Sequence, residues 1–166
     1  VREVIHAISQ LGEVCGVPET GERCAGELSR RLERVLGRIT SRGRPLVLVQ
    51  INLRPIMTVN KNTLLHDLIR LAGGENMTRD EPVTYPRISI EEVIRRKPEV
   101  IIITSMERAG GFEEARMEWF KWKSIPAVLN NRVHLIDSNL VDRASPRILR
   151  GLEVMAGMIH PEADWE

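Results

Sequence analysis

The sequence is poor in the features that mark several large classes of protein. It has two cysteines among 166 residues, Cys15 and Cys24, and their spacing matches neither a CxxC pair nor a zinc finger. They flank a turn over residues 16–18, so a local disulfide is one interpretation, but we favour two free thiols. The longest apolar run lies near Val100–Ile103 and is far too short to span a membrane.

Neither sign of charge prevails. The 24 basic and 23 acidic residues leave a net charge of +1, and the absence of a basic field argues against nucleic acid as a partner. Hydrophobic residues make up 42% and charged residues 28%, which is typical of a globular domain that needs no disulfide or metal to hold its core. The stretch Val1–Ile5 carries neither a start methionine nor a signal-peptide pattern. We therefore expect a fragment or a processed piece.

Motifs for catalysis are missing as well. No GxGxxG follows a predicted strand, and there is no phosphate-binding GxxxxGK[ST] and no GxSxG nucleophile elbow. The four histidines, His6, His66, His134 and His160, fall in no metal-ligating arrangement. We interpret His66 and His134 as structural or surface residues, and Asp137 as a turn or cap residue. We predict a binding module without a catalytic cofactor rather than an enzyme.

Along the chain, short apolar runs typical of buried strands alternate with segments whose apolar residues have helical spacing. Strands are predicted at Leu46–Ile51, Val100–Thr104 and Val133–Asp137. Helices are predicted at Val1–Leu11, Gly21–Ser41, Thr63–Ala72, Ile90–Arg96, Glu113–Lys121 and Ile125–Val128, with a last helix that has Ser145 as N-cap and Pro146 in its first position. This order predicts an α/β fold, a three-layer sandwich with a mainly parallel, Rossmann-like sheet.

Ligands of such sheets gather at the carboxyl ends of the strands. Those ends are predicted to continue into the loops Asn52–Lys61, Ser105–Gly111 and Ser138–Ser145. A further long loop, Asn76–Ile88, follows the double glycine that ends the helix before it, and it carries Tyr85. A loop of this length on a rigid scaffold is a typical place for binding.

The segment after this loop starts a helix with Ser89-Ile90-Glu91-Glu92. The pattern is typical of a capping box, in which the Ser89 hydroxyl accepts from the Glu92 amide and the Glu92 side chain returns to the Ser89 amide. Glu91 has no part in that pair. Its carboxylate is therefore expected to be free for another partner.

Four segments together resemble one family. They are AGGEN at 72–76, IS-x-E at 88–91, KPEVIII at 97–103 and SPRI at 145–148. In this order, they are similar to the C-terminal lobe of substrate-binding proteins of ABC importers for cobalamin, haem and ferric siderophores. YPRISIEE and RASPRI are similar to the vitamin B12-binding members in particular.

The resemblance implies two lobes joined by a rigid helix, with the ligand held between them. Residues 1–20 would be the tail of the N-terminal lobe, 21–42 the interlobe connecting helix and 43–166 the C-terminal α/β substrate-binding lobe. It also implies the residues that contact ligand. These are Met57, Thr58, Tyr85, Pro86, Asn139 and Arg143, with Tyr85 packing on the face of a corrin ring.

Glu91 matches the glutamate with which this family docks on an arginine pocket of the permease. The resemblance implies a non-catalytic protein that captures a metal chelate, cobalamin or another corrinoid first, haem or a ferric siderophore next. Its partners would be the permease and ATPase. Its location would be the periplasm or the outer face of the cytoplasmic membrane. It would be attached to the membrane through the transporter or through a lipid anchor outside this sequence.

Two other interpretations stay open at this point. One is an enzyme on a related α/β scaffold, such as a tetrapyrrole metal chelatase or a cofactor-maturation protein. The other is a sensor or interaction module that kept the lobe and lost transport.

Overall fold

The computed structural model describes residues 1–105, 111–163 and 165. Its elements follow one another as α1 (Arg2–Val14), α2 (Pro18–Ile39), β1 (Leu46–Gln50), α3 (Leu64–Leu71), β2 (Glu75–Asn76), α4 (Ile90–Arg96), β3 (Val100–Ser105), α5 (Gly111–Trp119), α6 (Pro126–Leu129), β4 (Val133–Asp137), α7 (Ser138–Val141) and α8 (Ile148–Ile159).

The strands form one parallel sheet in the order β2-β1-β3-β4. In the centre of the sheet Val49 pairs with Ile102, and Ile102 pairs with His134. The three predicted strands are confirmed. β2 was not predicted, because two residues are too few to show the alternation of a strand.

Both faces of the sheet are buried, as successive side chains of a strand point to opposite sides. Val47 and Val49 pack with α1, α2, α3, α7 and α8, whereas Leu48 packs with α4, α5 and α6. β3 divides in the same way between its even-numbered and odd-numbered residues. The predicted three-layer α/β sandwich is therefore confirmed.

The connection between the first two helices is shorter than the sequence predicted. α1 continues through Gly12 to Val14, and α2 already begins at Pro18. A Cβ on Gly12 would lie 2.7 Å from the Cα of Gly21, so only glycines allow this helix crossing. Cys15 and Cys24 are free and exposed, which confirms the preferred interpretation of the two thiols.

Two predictions about the chain after β4 were wrong. Residues 138–141 form α7 rather than loop, with Asp137 as the N-cap, which agrees with the cap interpretation of that residue. Ser145 does not cap α8, which begins at Ile148 after a turn in which the Ile148 amide donates to the Ser145 carbonyl at 2.9 Å. α8 thus begins without a side-chain cap, and it packs against α7.

Within the part of the chain that the structure describes, no helix is both long enough and apolar enough to cross a membrane.

We predict that Gly151→Ala destabilises this lobe by about 1–3 kcal/mol. A Cβ at Gly151 in α8 would collide with the Leu140 carbonyl oxygen and lie 2.9 Å from Val141 Cγ1, so α7 and α8 would have to separate. Gly37→Ala is the matched control, because a Cβ there meets nothing within 4 Å. We expect this control to leave stability unchanged or raise it by about 0.5–1 kcal/mol. Urea unfolding measures both, and equal effects would contradict the close packing of α7 on α8.

Candidate functional site

Two loops at the carboxyl edge of the sheet are joined by backbone hydrogen bonds, which we call the loop ladder. The Ile88 amide donates to Ile56, the Thr58 amide to Pro86 and the Asn60 amide to Thr84, each at 3.0 Å. The ladder therefore joins residues 56–60, which follow β1, to residues 84–88, which precede α4. Both loops lack regular secondary structure for most of their length, yet their backbone polar groups are paired as in a sheet.

The loop after β2 is also held from its other side. The Arg96 guanidinium in α4 donates to the Met77 carbonyl at 2.9 Å and to the Glu81 carboxylate at 2.6 Å. The Thr78 hydroxyl is buried and lies 3.1 Å from the Thr58 hydroxyl and 2.9 Å from the Val59 carbonyl. These contacts fix the β2 end of the loop that carries Tyr85, and the ladder fixes its other end.

Tyr85 is 53% exposed and stands over a cavity of about 310 Å³, the Tyr85 cavity. The start of α3 and the end of α7 supply its other walls. The lining residues are Ile51, Val59, Thr63, Leu64, Leu65, Tyr85, Val141 and Asp142. An exposed aromatic ring beside an open apolar wall can pack against the flat face of a ligand.

The predicted ligand contacts on these two loops differ in how far their side chains are buried. Met57 is half-buried and pairs with Asn52 and Arg87 across isolated bridges. Thr58 is fully buried and bonded to Thr78, and Pro86 is buried as well. Their place in the ladder turns both side chains inward, so we leave Thr58 and Pro86 out of the ligand contacts that we propose.

Asn139 and Arg143 are both exposed around α7. The Asn139 side chain donates to the Asp137 carboxylate at 2.9 Å, as does its backbone amide. Burial raises the pKa of Asp142 despite the nearby positive charge of Arg143. Glu153, an acidic residue of α8, is paired with Arg31 at 2.7 Å.

At the start of α4, only one of the two hydrogen bonds of the predicted capping box is formed. The Glu92 amide does donate to the Ser89 hydroxyl at 3.3 Å. The Glu92 carboxylate, however, binds Arg95 and Arg96, which lowers its pKa to about 2. Two charged donors on the next turn compete better for this carboxylate than one neutral amide does.

Glu91 has hydrogen bonds of its own, which differ from the bond predicted for Glu92. Its own backbone amide and the Ser89 side chain donate to its carboxylate and lower its pKa. Glu91 is exposed, and among the residues described no lysine or arginine is paired with it. Its charge is thus oriented by neutral groups and open to a cation from outside.

The histidines that were interpreted as structural are both half-buried. Burial lowers the pKa of His66, whose Nδ1 lies 3.3 Å from the Asn76 side-chain nitrogen. Burial, together with Arg132 and Arg116, lowers the pKa of His134. In the ranges 1–105 and 111–163, no three His, Cys, Asp or Glu side chains come together in a metal-binding group.

Among the residues that line the Tyr85 cavity, the sequence singled out only Tyr85 as a ligand contact. Val59, Val141 and Asp142 lie within predicted binding loops but were not named as contacts. Leu64 and Leu65 have the spacing of core residues in a predicted helix, which gave no reason to expect them at a cavity. For Val59, Val141 and Asp142, the available signal was the place of these two predicted loops after the carboxyl ends of strands. The predicted binding loop Ser105–Gly111 lies largely outside the described residues.

Known proteins are similar to this chain in sequence. A vitamin B12-binding protein of Vibrio campbellii is 30% identical over 148 residues, which are 87% of this chain and 51% of that protein. One from Salmonella typhi is 27% identical over 149 residues, or 90% of this chain and 53% of the relative. The chain thus spans about half the length of these relatives.

Solved structures of binding proteins have the same fold as this chain. The crystal structure of the periplasmic vitamin B12 binding protein of Vibrio cholerae matches with a TM-score of 0.84 and 26% identity, over 96% of this chain and 61% of that one. A periplasmic haem-binding protein from Roseiflexus, 21% identical, shares the fold with a TM-score of 0.77, over 95% of this chain and 62% of its own. The model of the periplasmic binding protein family matches residues 1–140. With most of its length matched, the chain belongs to the periplasmic binding protein family.

Proposed function

We propose that this chain is the C-terminal lobe of the substrate-binding component of an ABC importer, and that the importer takes up a metal chelate. Residues 1–20 would belong to the N-terminal lobe, 21–42 to the connecting helix and 43–166 to the C-terminal lobe. The family, and a chain that spans about half of its relatives, support this arrangement. A location on the periplasmic or outer side of the cytoplasmic membrane follows from the same proposal.

The observation that carries the proposal is Tyr85, exposed and rigidly held over an open cavity at the carboxyl edge of the sheet. A cavity of about 310 Å³ is at the small end of ligand sites, so it suits one edge of a large ligand whose remainder contacts another lobe. Met57, Asn139 and Arg143 would add contacts around it. Cobalamin is our first choice because the relatives are vitamin B12-binding proteins, followed by haem and ferric siderophores.

We predict that Tyr85→Ala, in a protein with both lobes, raises the dissociation constant of cobalamin about tenfold, since a buried aromatic contact is lost. Tyr85→Phe should bind almost as well as the parent protein. Thr58→Val is the opposite control, because it removes a buried hydroxyl pair and should lower the free energy of unfolding by roughly 1 kcal/mol without changing affinity. Spectral titrations with cobalamin, haemin and a ferric siderophore measure the affinities. Saturable binding of none of the three would refute the proposed ligand class.

Glu91 is the proposed docking residue. An ionised, exposed carboxylate fixed at the start of a helix is a well-oriented partner for an arginine of the permease. Its own backbone amide and the Ser89 side chain lower the pKa of Glu91, which keeps the carboxylate ionised at neutral pH.

Accordingly, Glu91→Gln should weaken binding to the permease–ATPase complex about tenfold while ligand affinity stays the same, because only the charge is removed. Glu19→Gln is the matched control, an exposed glutamate in the first turn of α2. Binding of the loaded protein to the transporter in nanodiscs, measured at low and high salt, tests this. If Glu91→Gln binds the transporter as tightly as the parent, the docking role is wrong.

A further inference from the structure

A second and larger cavity lies on the other side of the sheet from the Tyr85 cavity. It has a volume of about 460 Å³, and we call it the tryptophan cavity. Gln50 lines this cavity and Ile51 lines the Tyr85 cavity. Consecutive residues at the end of β1 thus point to opposite faces, so the two cavities are separate sites at one edge of the sheet.

The walls of the tryptophan cavity are mainly apolar. They include Leu53, Ile56, Ile88, Ile90, Trp119 and Trp122. Trp119 is 3% exposed and forms the floor, and its indole nitrogen donates to the Gln50 side chain at 2.7 Å. Trp122 is 39% exposed and forms the open wall.

Charged side chains stand around this apolar interior. Arg54 and Glu118 line the cavity and form an exposed ion pair with an N···O distance of 3.8 Å. Lys121 also binds Glu118, at 2.6 Å. An aromatic pocket inside a polar rim is the usual anatomy of an energetic centre in a protein–protein interface.

The cavity is continuous with the start of α4. Ile88 and Ile90 line it, and they flank Ser89, whose side chain bonds Glu91. Since consecutive Cα atoms are about 3.8 Å apart, the backbone of Glu91 lies next to a residue of the cavity wall, and a partner that pairs with Glu91 has the cavity within reach of a neighbouring side chain. The exposed carboxylate is complementary to a cation, and the adjacent cavity is complementary to an apolar group.

We propose that the tryptophan cavity receives a bulky apolar side chain from the permease segment whose arginine or lysine pairs with Glu91. This inference rests on the proposed docking role of Glu91 and adds the second contact of that interface. The partner is thus a protein segment with a cation and a large apolar residue close together. The contact would fix the lobe in one orientation on the transporter, because a single exposed ion pair leaves rotation free.

The test compares Trp122→Ala with Met117→Ala in the protein with both lobes. Met117 is the matched control, because it is 63% exposed on α5 but does not line the cavity. We expect Trp122→Ala to weaken binding to the transporter in nanodiscs about tenfold, with ligand affinity unchanged. Met117→Ala should change transporter binding less than about twofold, and Trp122→Phe should restore most of it. Ile90→Ala is the second cavity variant, should Trp122→Ala fold poorly.

The outcomes separate this inference from the docking role itself. If Glu91→Gln weakens transporter binding and neither Trp122→Ala nor Ile90→Ala does, the cavity has no role in docking and the inference is overturned while Glu91 keeps its role. If the cavity variants weaken ligand binding instead, the cavity belongs to the ligand site and the inference is again overturned. If neither Glu91→Gln nor the cavity variants affect transporter binding, both proposals are refuted together.

Discussion

The hydrogen bonds of the loop ladder are the constraint on which the arrangement of this lobe's edge depends. They join the loop after β1 to the segment before α4, and so make one unit of two loops that leave neighbouring strands. Tyr85 owes its fixed, exposed position to its neighbours in that ladder. Glu91 lies in the first turn of α4, the helix that follows the ladder. A change in the ladder would therefore move the proposed ligand contact and the proposed docking contact together.

The buried parallel sheet explains why the ladder can be rigid. The strands are covered on both faces, so their carboxyl ends are held at fixed spacing and the loops start from fixed points. Buried polar side chains such as Thr58, Thr78 and Asn76 then satisfy one another in the space beneath the loops. Polar groups that are buried and paired in this way resist rearrangement, because separating them leaves unsatisfied donors and acceptors. This lobe thus presents preformed surfaces.

Two chemically different surfaces meet at the same edge. One has an exposed aromatic ring and a small cavity, and belongs to the side of α3, α7 and α8. The other has an oriented carboxylate beside an aromatic cavity, and belongs to the side of α4 and α5. Division of ligand and transporter contacts between the two faces of one sheet would let a binding protein hold its ligand while it docks.

The sequence by itself determined three of the four strands, most of the helices and the burial of the sheet on both faces, because a continuous apolar run leaves a strand no polar face for solvent. Val47, Leu48 and Val49 show this in one strand. It also identified Ser89 and Glu91 as a helix start, since such signals are local. Only the tertiary structure decided that Thr58 and Pro86 turn inward, that Glu92 binds arginines rather than the Ser89 amide, and that Leu64, Val141 and Asp142 join Tyr85 around one cavity. These outcomes depend on contacts between segments far apart in the chain, and local pattern carries no information about which of several possible partners will be nearest.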